Sequence, residues 1–563
     1  MIRGIHGQEL SFTDRTTGTR LSPVLPALSP HKDQSTRRIR TCDAGIDGIV
    51  EGAIPQFEVD GISANRTQVL AYSLEQDSQN LAALRCQIGN GHVTFWAPSL
   101  ENIAEDISGN DPKARLKLLR WCLERVGLRP PHPKAGPSSL PLPQILLSTP
   151  EKPGLVQAVV LGLGLNNGPG VFRDSNDSFE FHPYEKGLEL LRQIRLQTAQ
   201  PNSHSDSDQA DSPMKHIIVC PGGMIPSADD TPLFDLQTYF TQLRMARSRE
   251  GCRRDIAGFG ETMIYGQVVT STQTMFDKNP RLLAQLPASV PVLSLGSQQL
   301  AGRGRGSNAW ISPAGCLQFS LLLPNNPTSS LTPSYIPPSK LVFVQYLFAL
   351  AVVEACRSDT VLGPKSGEAV RIKWPNDIYA YSGGPRAEKL KIGGVLVSTT
   401  FAPGGQEADI VIGCGLNVLC SPPLFALFRL LPISPIQTVE APSCPDSNEP
   451  NLSRLSLELT LATVLSKFEK MWDQFLSSGG DFEPFLGTYL ERWMHSDQLV
   501  QLTTVSPPKM VRICGITLDH GLLRTLPERT GAWGYDEGMN GYIDLQPDGN
   551  SFDLMAGLIK VKR

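Results

Sequence analysis

Residues 302–315 read Gly-Arg-Gly-Arg-Gly-Ser-Asn-Ala-Trp-Ile-Ser-Pro-Ala-Gly, and this stretch is the most informative part of the chain. Its glycines permit close approach of the backbone to a ligand. Arg303 and Arg305 add two guanidinium groups, which bind carboxylate or phosphate oxygens through paired hydrogen bonds. Gly/Arg runs also occur in solvated tails and RNA-binding segments. By itself the stretch leaves both an anion-binding loop and a surface tail open.

Three further motifs follow downstream: Lys373-Trp374-Pro375-Asn376-Asp377, then Lys391-Ile392-Gly393-Gly394, then Ile412-Gly413-Cys414-Gly415-Leu416-Asn417. In this order and spacing, the four motifs closely resemble the catalytic domain of biotin–protein ligases, also called holocarboxylase synthetases. The resemblance is dense over residues 260–425 and weaker towards the C-terminus. It departs at Ser307 and Asn308, where bacterial members carry further glycine or basic residues.

The resemblance implies an ATP-dependent ligase that works in two steps. Biotin and ATP would first form biotinyl-5′-AMP, and biotin would then pass to one lysine on a biotin-carrier domain. The acceptors would be biotin-dependent enzymes such as acetyl-CoA and pyruvate carboxylases. ATP and Mg²⁺ are the expected cofactors, with the metal held mainly by phosphate oxygens and water rather than by a named protein ligand.

Four cations are expected to reduce the repulsion between the two reacting anions and to stabilise charge on the phosphate, namely Arg303, Arg305, Lys373 and Lys391. By match to the family, Lys391 would span the biotin carboxylate and the α-phosphate. Arg305 would hold the adenylate, and Arg303 would anchor the loop on the carboxylate side. For Lys373, a surface lysine on a hairpin is the alternative.

Asp377 is expected to act in the transfer step. A lysine that attacks an acyl adenylate must be neutral, and a nearby carboxylate can orient it or take its proton. In the family this position faces the incoming lysine. The alternative is an ordinary turn aspartate that bonds its own backbone.

The remaining predicted site residues bind biotin or the nucleotide by match to the family. Ser271 and Thr272 would form the pair that holds the ureido ring, with ordinary strand-end turn residues as the alternative. The further biotin contacts are Gln299 and the strand glycines Gly394, Gly413 and Gly415, where the backbone approaches the ring closely. The nucleotide contacts, besides Arg303 and Arg305, are Trp310, Asn376 and Asn417.

The pattern of short strand runs around one apolar helix, Leu341–Cys356, predicts an α+β fold. The resemblance implies a catalytic domain of the class II aminoacyl-tRNA-synthetase/biotin-ligase type over residues 234–490. Short strands with turns after residue 495 predict a C-terminal SH3-like β-barrel over 495–563. An apolar run over Leu155–Leu165 predicts a buried strand.

Residues 1–230 are predicted to form an N-terminal region with disordered insertions. Cys86–Val93 followed by Trp96–Glu101 resembles the amidotransferase-like α/β domain that precedes the ligase in fungal and animal homologues. No Gly-x-Cys-x-Gly elbow is present, and an active amidotransferase needs a nucleophilic cysteine there and a histidine base. A degenerate domain for docking or regulation is therefore expected.

Composition excludes several classes of protein. Lys and Arg number 51 against 55 Asp and Glu, a net charge of −4, so nothing favours nucleic acid as a partner. No apolar run reaches the roughly eighteen residues of a membrane span, and no signal peptide is expected. Eleven cysteines without a Cys-x-x-Cys pair or a nearby histidine cluster predict reduced thiols in a cytoplasmic protein, no metal site, and a buried Cys414.

The sequence favours a biotin ligase over three alternatives. A lipoate–protein ligase shares the fold and the adenylation chemistry but lacks this form of the Gly/Arg loop. A DNA-binding repressor needs a basic helix-turn-helix, and the N-terminal segment is Pro-rich and not basic enough. A non-catalytic scaffold has no need for four cations around one pocket.

Overall fold

The computed structural model of the chain divides into two compact units, Met1–Pro137 and Ser138–Arg563. In the first unit it describes eight strands and Trp121. In the second unit the described ranges are 141–165, 170–199, 214–306, 308–325, 336–382, 388–401, 408–421, 424–431, 455–505, 507–528, 541–547, 550–553 and 558–561.

The described strands of the first unit are all antiparallel and form two sheets. They are β1 Phe12–Thr13, β2 Arg20–Pro23, β3 Thr36–Thr41, β4 Asp47–Glu51, β5 Phe57–Glu58, β6 Thr67–Ser73, β7 Leu81–Ile88 and β8 Gly91–Trp96. One sheet has the order β1-β2-β5 and the other β4-β3-β6-β7-β8. The motif residues after Trp96 lie outside the described residues. The amidotransferase-like character of this region stays a prediction.

The second unit is built on one eleven-stranded mixed sheet and a separate two-stranded hairpin. Its strands are β9 Gln144–Ser148, β10 Gly170–Arg173, β11 Ser178–Pro183, β12 Lys215–Val219, β13 Thr262–Val269, β14 Val292–Gln299, β15 Gly302–Arg303, β16 Ala309–Trp310, β17 Cys316–Asn325, β18 Val370–Lys373, β19 Asp377–Tyr381, β20 Lys389–Phe401 and β21 Ala408–Asn417. The large sheet has the order β10-β11-β12-β9-β13-β14-β17-β21-β20-β19-β18, and β15 pairs with β16.

Helices cover both faces of this sheet, giving a mixed α/β architecture. They are α1 Gly154–Gly162, α2 Tyr184–Ala199, α3 Leu236–Glu250, α4 Thr272–Asp277, α5 Pro280–Gln285, α6 Val342–Cys356, α7 Gly363–Gly367, α8 Leu457–Ser477 and α9 Glu483–Arg492, with 3-10 turns at Pro338–Lys340 and Leu427–Leu430. Along β9, Ile145 and Leu147 join one core cluster while Leu146 joins the other. Alternate side chains of a strand thus serve two cores.

The apolar helix predicted over 341–356 is confirmed as α6. It packs against α8 and β20, and it is apolar on all sides, as expected of a helix inside a core. By length and composition alone, Pro338–Cys356 is apolar enough to cross a membrane, yet 72% of its apolar stretch is buried inside the protein.

The strand predicted over 155–165 is wrong, because this segment forms helix α1. Val156, Val159 and Leu163 are buried in one core cluster, whereas Leu161 is half-exposed. The buried positions recur at helical spacing, and a short apolar run does not by itself distinguish a strand from a helix.

The C-terminal strands form a separate six-stranded sheet. They are β22 Leu499–Leu502, β23 Lys509–Ile516, β24 Leu523–Pro527, β25 Ile543–Leu545, β26 Asn550–Asp553 and β27 Leu558–Val561, in the order β25-β24-β23-β22-β27-β26. Val500 and Ile513 belong to the same core cluster as α6. A β-rich C-terminal region is thus observed where short strands were predicted.

The division of the chain differs from the predicted ranges 1–230, 234–490 and 495–563. The large sheet continues across residue 230, because β13 pairs antiparallel with β9, Thr262 opposite Ser148 and Tyr265 opposite Ile145. β9 in turn pairs with β12. Strands β9, β10, β11 and β12 therefore share a sheet with the strands that carry the predicted site.

Candidate active site

A cavity of about 610 Å³ collects most of the predicted site residues in one place. Those that line it are Thr272, Gln299, Arg303, Arg305, Trp310, Lys373, Asn376, Asp377, Lys391, Gly394, Gly413 and Gly415. They come from segments more than a hundred residues apart in sequence, and the central strands of the large sheet bring them together.

The Gly/Arg stretch folds as a short hairpin at the edge of the cavity. Gly302 pairs with Trp310 across β15 and β16, and Gly304 N donates to Asn308 O at 2.8 Å. Gly306 adopts a φ of 62°, a conformation that favours glycine. The hairpin thereby presents Arg303 and Arg305 to the cavity.

Arg303 is paired with a carboxylate that sequence reasoning missed. Its Nη1 lies 3.3 Å from Asp277 Oδ2, and the same oxygen accepts a hydrogen bond from Ser398 Oγ at 3.0 Å. Burial raises the pKa of Asp277. Asp277 stands at the end of α4, so the helix that begins at Thr272 also positions an arginine of the loop.

A chain of polar contacts joins the loop to two strands across the cavity. Arg305 Nη1 donates to Asn376 Oδ1 at 3.1 Å, and Asn376 Nδ2 donates to Asp377 Oδ1 at 3.1 Å. Lys391 Nζ lies 2.8 Å from the same Asp377 oxygen. The Lys391 side chain remains 44% exposed, so its ammonium can reach a ligand in the cavity. We call these four residues the cavity network.

Lys373 lines the same cavity from the end of β18. Its Nζ lies 5.2 Å from the centre of the Tyr379 ring, a cation–π contact across the β18–β19 hairpin. The contact holds the ammonium on the surface of the hairpin, so Lys373 does lie on a hairpin, as its alternative interpretation expected. The same ammonium also lies at the cavity wall.

The turn that carries Asn376 and Asp377 is anchored from behind by buried groups. Trp374 Nε1 donates to Tyr346 OH at 2.9 Å, and Gln345 Nε2 donates to Pro375 O at 2.9 Å. Trp374 N donates to His495 Nε2 at 3.2 Å. Burial lowers the pKa of His495 to about 4, so the ring is neutral near pH 7 and can accept this bond.

Buried polar side chains lie at the start of α4. The carbonyl of Gln299 accepts from Thr272 N at 2.9 Å, which fixes the amide against the helix. Ser320 Oγ lies 3.0 Å from both Thr272 Oγ1 and Gln273 Oε1. These hydroxyl and amide groups supply hydrogen-bond donors and acceptors at the cavity wall, as a polar heterocycle requires.

Two of the predicted glycines lie directly against side chains. A Cβ on Gly415 would overlap the Trp310 ring, and a Cβ on Gly413 would overlap Gln273 Oε1, so the neighbouring side chain would have to move in each case. A Cβ on Gly394 would meet nothing closer than 3.6 Å, so its missing side chain leaves open space beside Lys391. Trp310 is thus seated on the β21 backbone.

Two predicted residues do not line the cavity. Ser271 caps α4, with its hydroxyl accepting from Thr274 N at 3.3 Å, and it is 2% exposed. Asn417 is also buried, and its Nδ2 donates to Phe425 O at 3.2 Å. Direct contact of either side chain with a ligand therefore has no support in this geometry.

Sequence reasoning missed Gln273, Asp277, Ser320 and His495. Ser320 offered a signal, since it is a polar residue inside the apolar β17 strand, where burial requires a hydrogen-bond partner. His495 offered none, because its partner Trp374 lies 121 residues earlier.

The Biotin/lipoate A/B protein ligase family matches the chain over residues 265–417. A "Biotin--protein ligase" from Schizosaccharomyces pombe is 30% identical over 97% of this chain and 81% of its own length. The chain belongs to the biotin–protein ligase family. A human "Biotin--protein ligase" is 34% identical, over 54% of this chain and 36% of its own length.

Among solved structures, a biotin protein ligase from Aquifex aeolicus in complex with biotin and ATP covers 54% of this chain and 98% of its own chain. It is 19% identical, with a TM-score of 0.33.

Proposed function

We propose that this protein is an ATP-dependent enzyme that activates biotin to biotinyl-5′-AMP and transfers it to a lysine on the biotin-carrier domain of carboxylases. The observation that carries the proposal is the convergence of Arg303, Arg305, Lys373 and Lys391 on one cavity that neutral polar side chains also line. A scaffold would have no physical reason to hold four cations there.

In the first step, a biotin carboxylate oxygen attacks the α-phosphorus of ATP. The new P–O bond forms as the bond to pyrophosphate breaks, and pyrophosphate leaves with the electron pair. Lys391 is the group best placed to bridge the two anions, because its ammonium is half-exposed and forms an ion pair with Asp377 that an incoming anion can displace. Fixed positive charge in a site shielded from water stabilises the transition state strongly.

Arg305 would hold the adenylate in place between the two steps. Its contact with Asn376 Oδ1 ties the Gly/Arg hairpin to the β18–β19 turn, so a phosphate bound between them would meet both elements. Arg303, held by Asp277, would face the carboxylate side. The nucleotide would then pack along Trp310.

In the second step, the neutral ε-amine of the acceptor lysine attacks the acyl carbon of biotinyl-5′-AMP. An amide bond forms, AMP leaves, and one proton is released. Asp377 would accept it, because ligand anions that compete for Lys391 would free the carboxylate from the 2.8 Å ion pair. Binding of the adenylate to Lys391 would therefore also free the Asp377 carboxylate to accept the proton.

Biotin's ureido ring would bind where Thr272 and Gln299 meet, at the start of α4. Both side chains line the cavity, and Gln299 is already oriented by the Thr272 backbone. Ser271 would act indirectly, by capping the helix that carries Thr272. Gly394 on β20 leaves open space beside Lys391, where the valeryl chain would lie.

Mg²⁺ would enter as part of the ATP complex. Asp377 is the one carboxylate among the described residues that line the cavity, and its Oδ1 is already bonded to Lys391 and Asn376. The described lining therefore provides no cage of carboxylate ligands for the metal.

The finer features of the fold belong to the same proposal. A class II synthetase-like catalytic sheet, an SH3-like C-terminal barrel and an amidotransferase-like N-terminal region are proposed on the motif order and on the β-rich C-terminal sheet. A cytoplasmic location is proposed on the chemistry of the seven described cysteines, which are free thiols.

The deciding experiment incubates the full chain with labelled biotin, ATP, Mg²⁺ and a carboxylase biotin-carrier domain, with and without an excess of unlabelled lipoate. We expect biotin on the carrier lysine and release of pyrophosphate, with little effect of lipoate. Labelling that lipoate abolishes, or carrier labelling that does not require ATP, would contradict the proposal.

A further inference from the structure

A second group of potential ligands lies outside the cavity, on strands β11 and β12. Glu180, His182 and His216 place one ligand atom each within 4.8 Å of one another. Within the part of the chain that the structure describes, no other set of three His, Cys, Asp or Glu side chains converges in this way. None of the three lines the biotin cavity.

The pairing of two parallel strands creates this group. Glu180 stands directly opposite His216 in the register of β11 and β12. His182 follows Glu180 by two positions, and alternate residues of a strand share a face, so all three side chains lie on one face of the sheet. In sequence, the two histidines are 34 residues apart.

The distances fit a shared cation. His182 Nε2 lies 3.0 Å from His216 Nδ1, His216 Nδ1 lies 3.3 Å from Glu180 Oε2, and His182 Nε2 lies 3.7 Å from the same oxygen. Donor atoms held about 2.0–2.1 Å from a tetrahedral Zn²⁺ are separated by about 3.3 Å. The three edges of the triangle are close to that value.

Hydrogen bonding alone leaves this triangle incompletely satisfied. Two imidazole nitrogens that face each other share one proton, and the nearby carboxylate oxygen is a further acceptor. A cation at the centre would satisfy all three lone pairs at once. Two imidazole nitrogens and one carboxylate oxygen are a donor set suited to zinc.

We propose that Glu180, His182 and His216 form a binding site for one divalent transition-metal ion, zinc in the first place. A water molecule completes the tetrahedron, since Glu180 remains 38% exposed and its cross-strand neighbour Val171 is 49% exposed. The ion links β11 to β12 in the part of the sheet that precedes the ligase motifs. Binding to the folded chain but not to the unfolded chain stabilises the fold.

The test measures zinc retained by the full chain after dialysis, and cobalt binding followed by the d–d absorption of a tetrahedral site. The wild-type protein should retain one equivalent more zinc than His182→Ala, and zinc should raise its unfolding midpoint. The matched control is His520→Ala, which removes an exposed imidazole that lies 3.1 Å from Asp519. It should bind zinc as the wild type does.

Glu180→Gln keeps the shape of the side chain and removes its charge, so it tests the site even if a histidine variant folds poorly. We expect its zinc affinity to fall by at least about tenfold, with biotinyl-5′-AMP formation unchanged. Equal zinc retention by His182→Ala and His520→Ala would overturn the proposal. So would a wild-type protein that shows no tetrahedral cobalt spectrum.

Discussion

Two networks of oppositely charged side chains in the described part of the chain differ in how far they are exposed to solvent. In the cavity network, Lys391 is 44% exposed and Asp377 18% exposed. The second network joins Lys152, Arg247, Glu261 and Glu469, and we call it the buried network. In it, the Arg247 side chain is 8% exposed and the Glu469 side chain is 4% exposed.

The buried network is satisfied by the protein itself. Arg247 donates to Glu469 through Nε at 3.0 Å and through Nη2 at 2.7 Å, and its Nη1 donates to Glu261. Glu261 and Glu469 also accept from the backbone N–H groups of Gly258 and Phe259. This network links α3 to α8, and its buried charges are already paired with groups of the protein rather than available to a ligand.

The cavity network is arranged differently, because its cations face open space. Lys391 has a carboxylate partner that an incoming anion can displace, and Arg303 and Lys373 also line the cavity. Residue type thus does not distinguish a structural ion pair from a reactive one. Burial and the accessibility of the cation do, and the two networks should respond to substitution in opposite ways.

The largest effect on stability should come from the buried network. Arg247→Met leaves Glu469 buried without its cation and Glu261 paired with Lys152 alone, which should reduce the free energy of unfolding by about 3–5 kcal/mol. Chemical denaturation measures this. Arg244→Ala is the control on the same helix: its Nη1 lies 2.9 Å from Glu151 Oε1, both side chains are about half-exposed, and the loss should be below about 1 kcal/mol. Similar losses in the two variants would contradict the contrast.

The largest effect on activity should come from the cavity network. Lys391→Ala removes the charge that bridges the two anions and should slow biotinyl-5′-AMP formation by about 10²–10³-fold, with little change in stability. Lys389→Ala is the matched control, because Lys389 lies two residues earlier on β20 and is not among the residues that line the cavity. Its Nζ lies 6.0 Å from the centre of the Tyr381 ring. It should retain nearly full activity. A Lys391→Ala rate within about tenfold of wild type would refute the role of Lys391.

His495, which anchors the turn behind the cavity network, adds a third case: a titratable side chain that is buried in its neutral form. Its pKa is about 4 in the folded protein and about 6.5 when unfolded. The unfolded chain therefore binds a proton first as pH falls, and stability is lost from about pH 6.5 down to about pH 4, by about 3 kcal/mol. Unfolding measured across this range should show a shallower pH dependence for His495→Asn than for wild type. Identical slopes would exclude His495 as the titrating group.

The smallest predicted effect separates adenylate synthesis from adenylate retention. Arg305→Gly should release biotinyl-5′-AMP about tenfold faster, because it removes a guanidinium that binds phosphate oxygens in pairs. Free adenylate would then label bystander lysines, which mass spectrometry detects. Arg305→Lys, which keeps the charge without the paired geometry, should fall between the two. Loss of synthesis without bystander labelling would contradict this division of roles.

Much of the cavity followed from the sequence because its chemistry is carried by local motifs. Three local motifs indicate fixed charge or close approach of the backbone: the Gly/Arg loop, the Lys373–Asp377 turn and the strand glycines. The helix over 341–356 followed from its uninterrupted apolar composition. The apolar run at 155–165 failed because composition alone does not separate a buried strand from a helix.

What only the tertiary structure decided is which distant residues meet. The motif order by itself determined the family resemblance, the cations and the apolar central helix. Strand register placed Glu180 beside His216, and helix packing placed Asp277 beside Arg303. The continuity of the sheet from β9 to β13 is likewise invisible in local patterns. Such contacts depend on which strands pair, and pairing is a property of the whole folded chain rather than of any short segment.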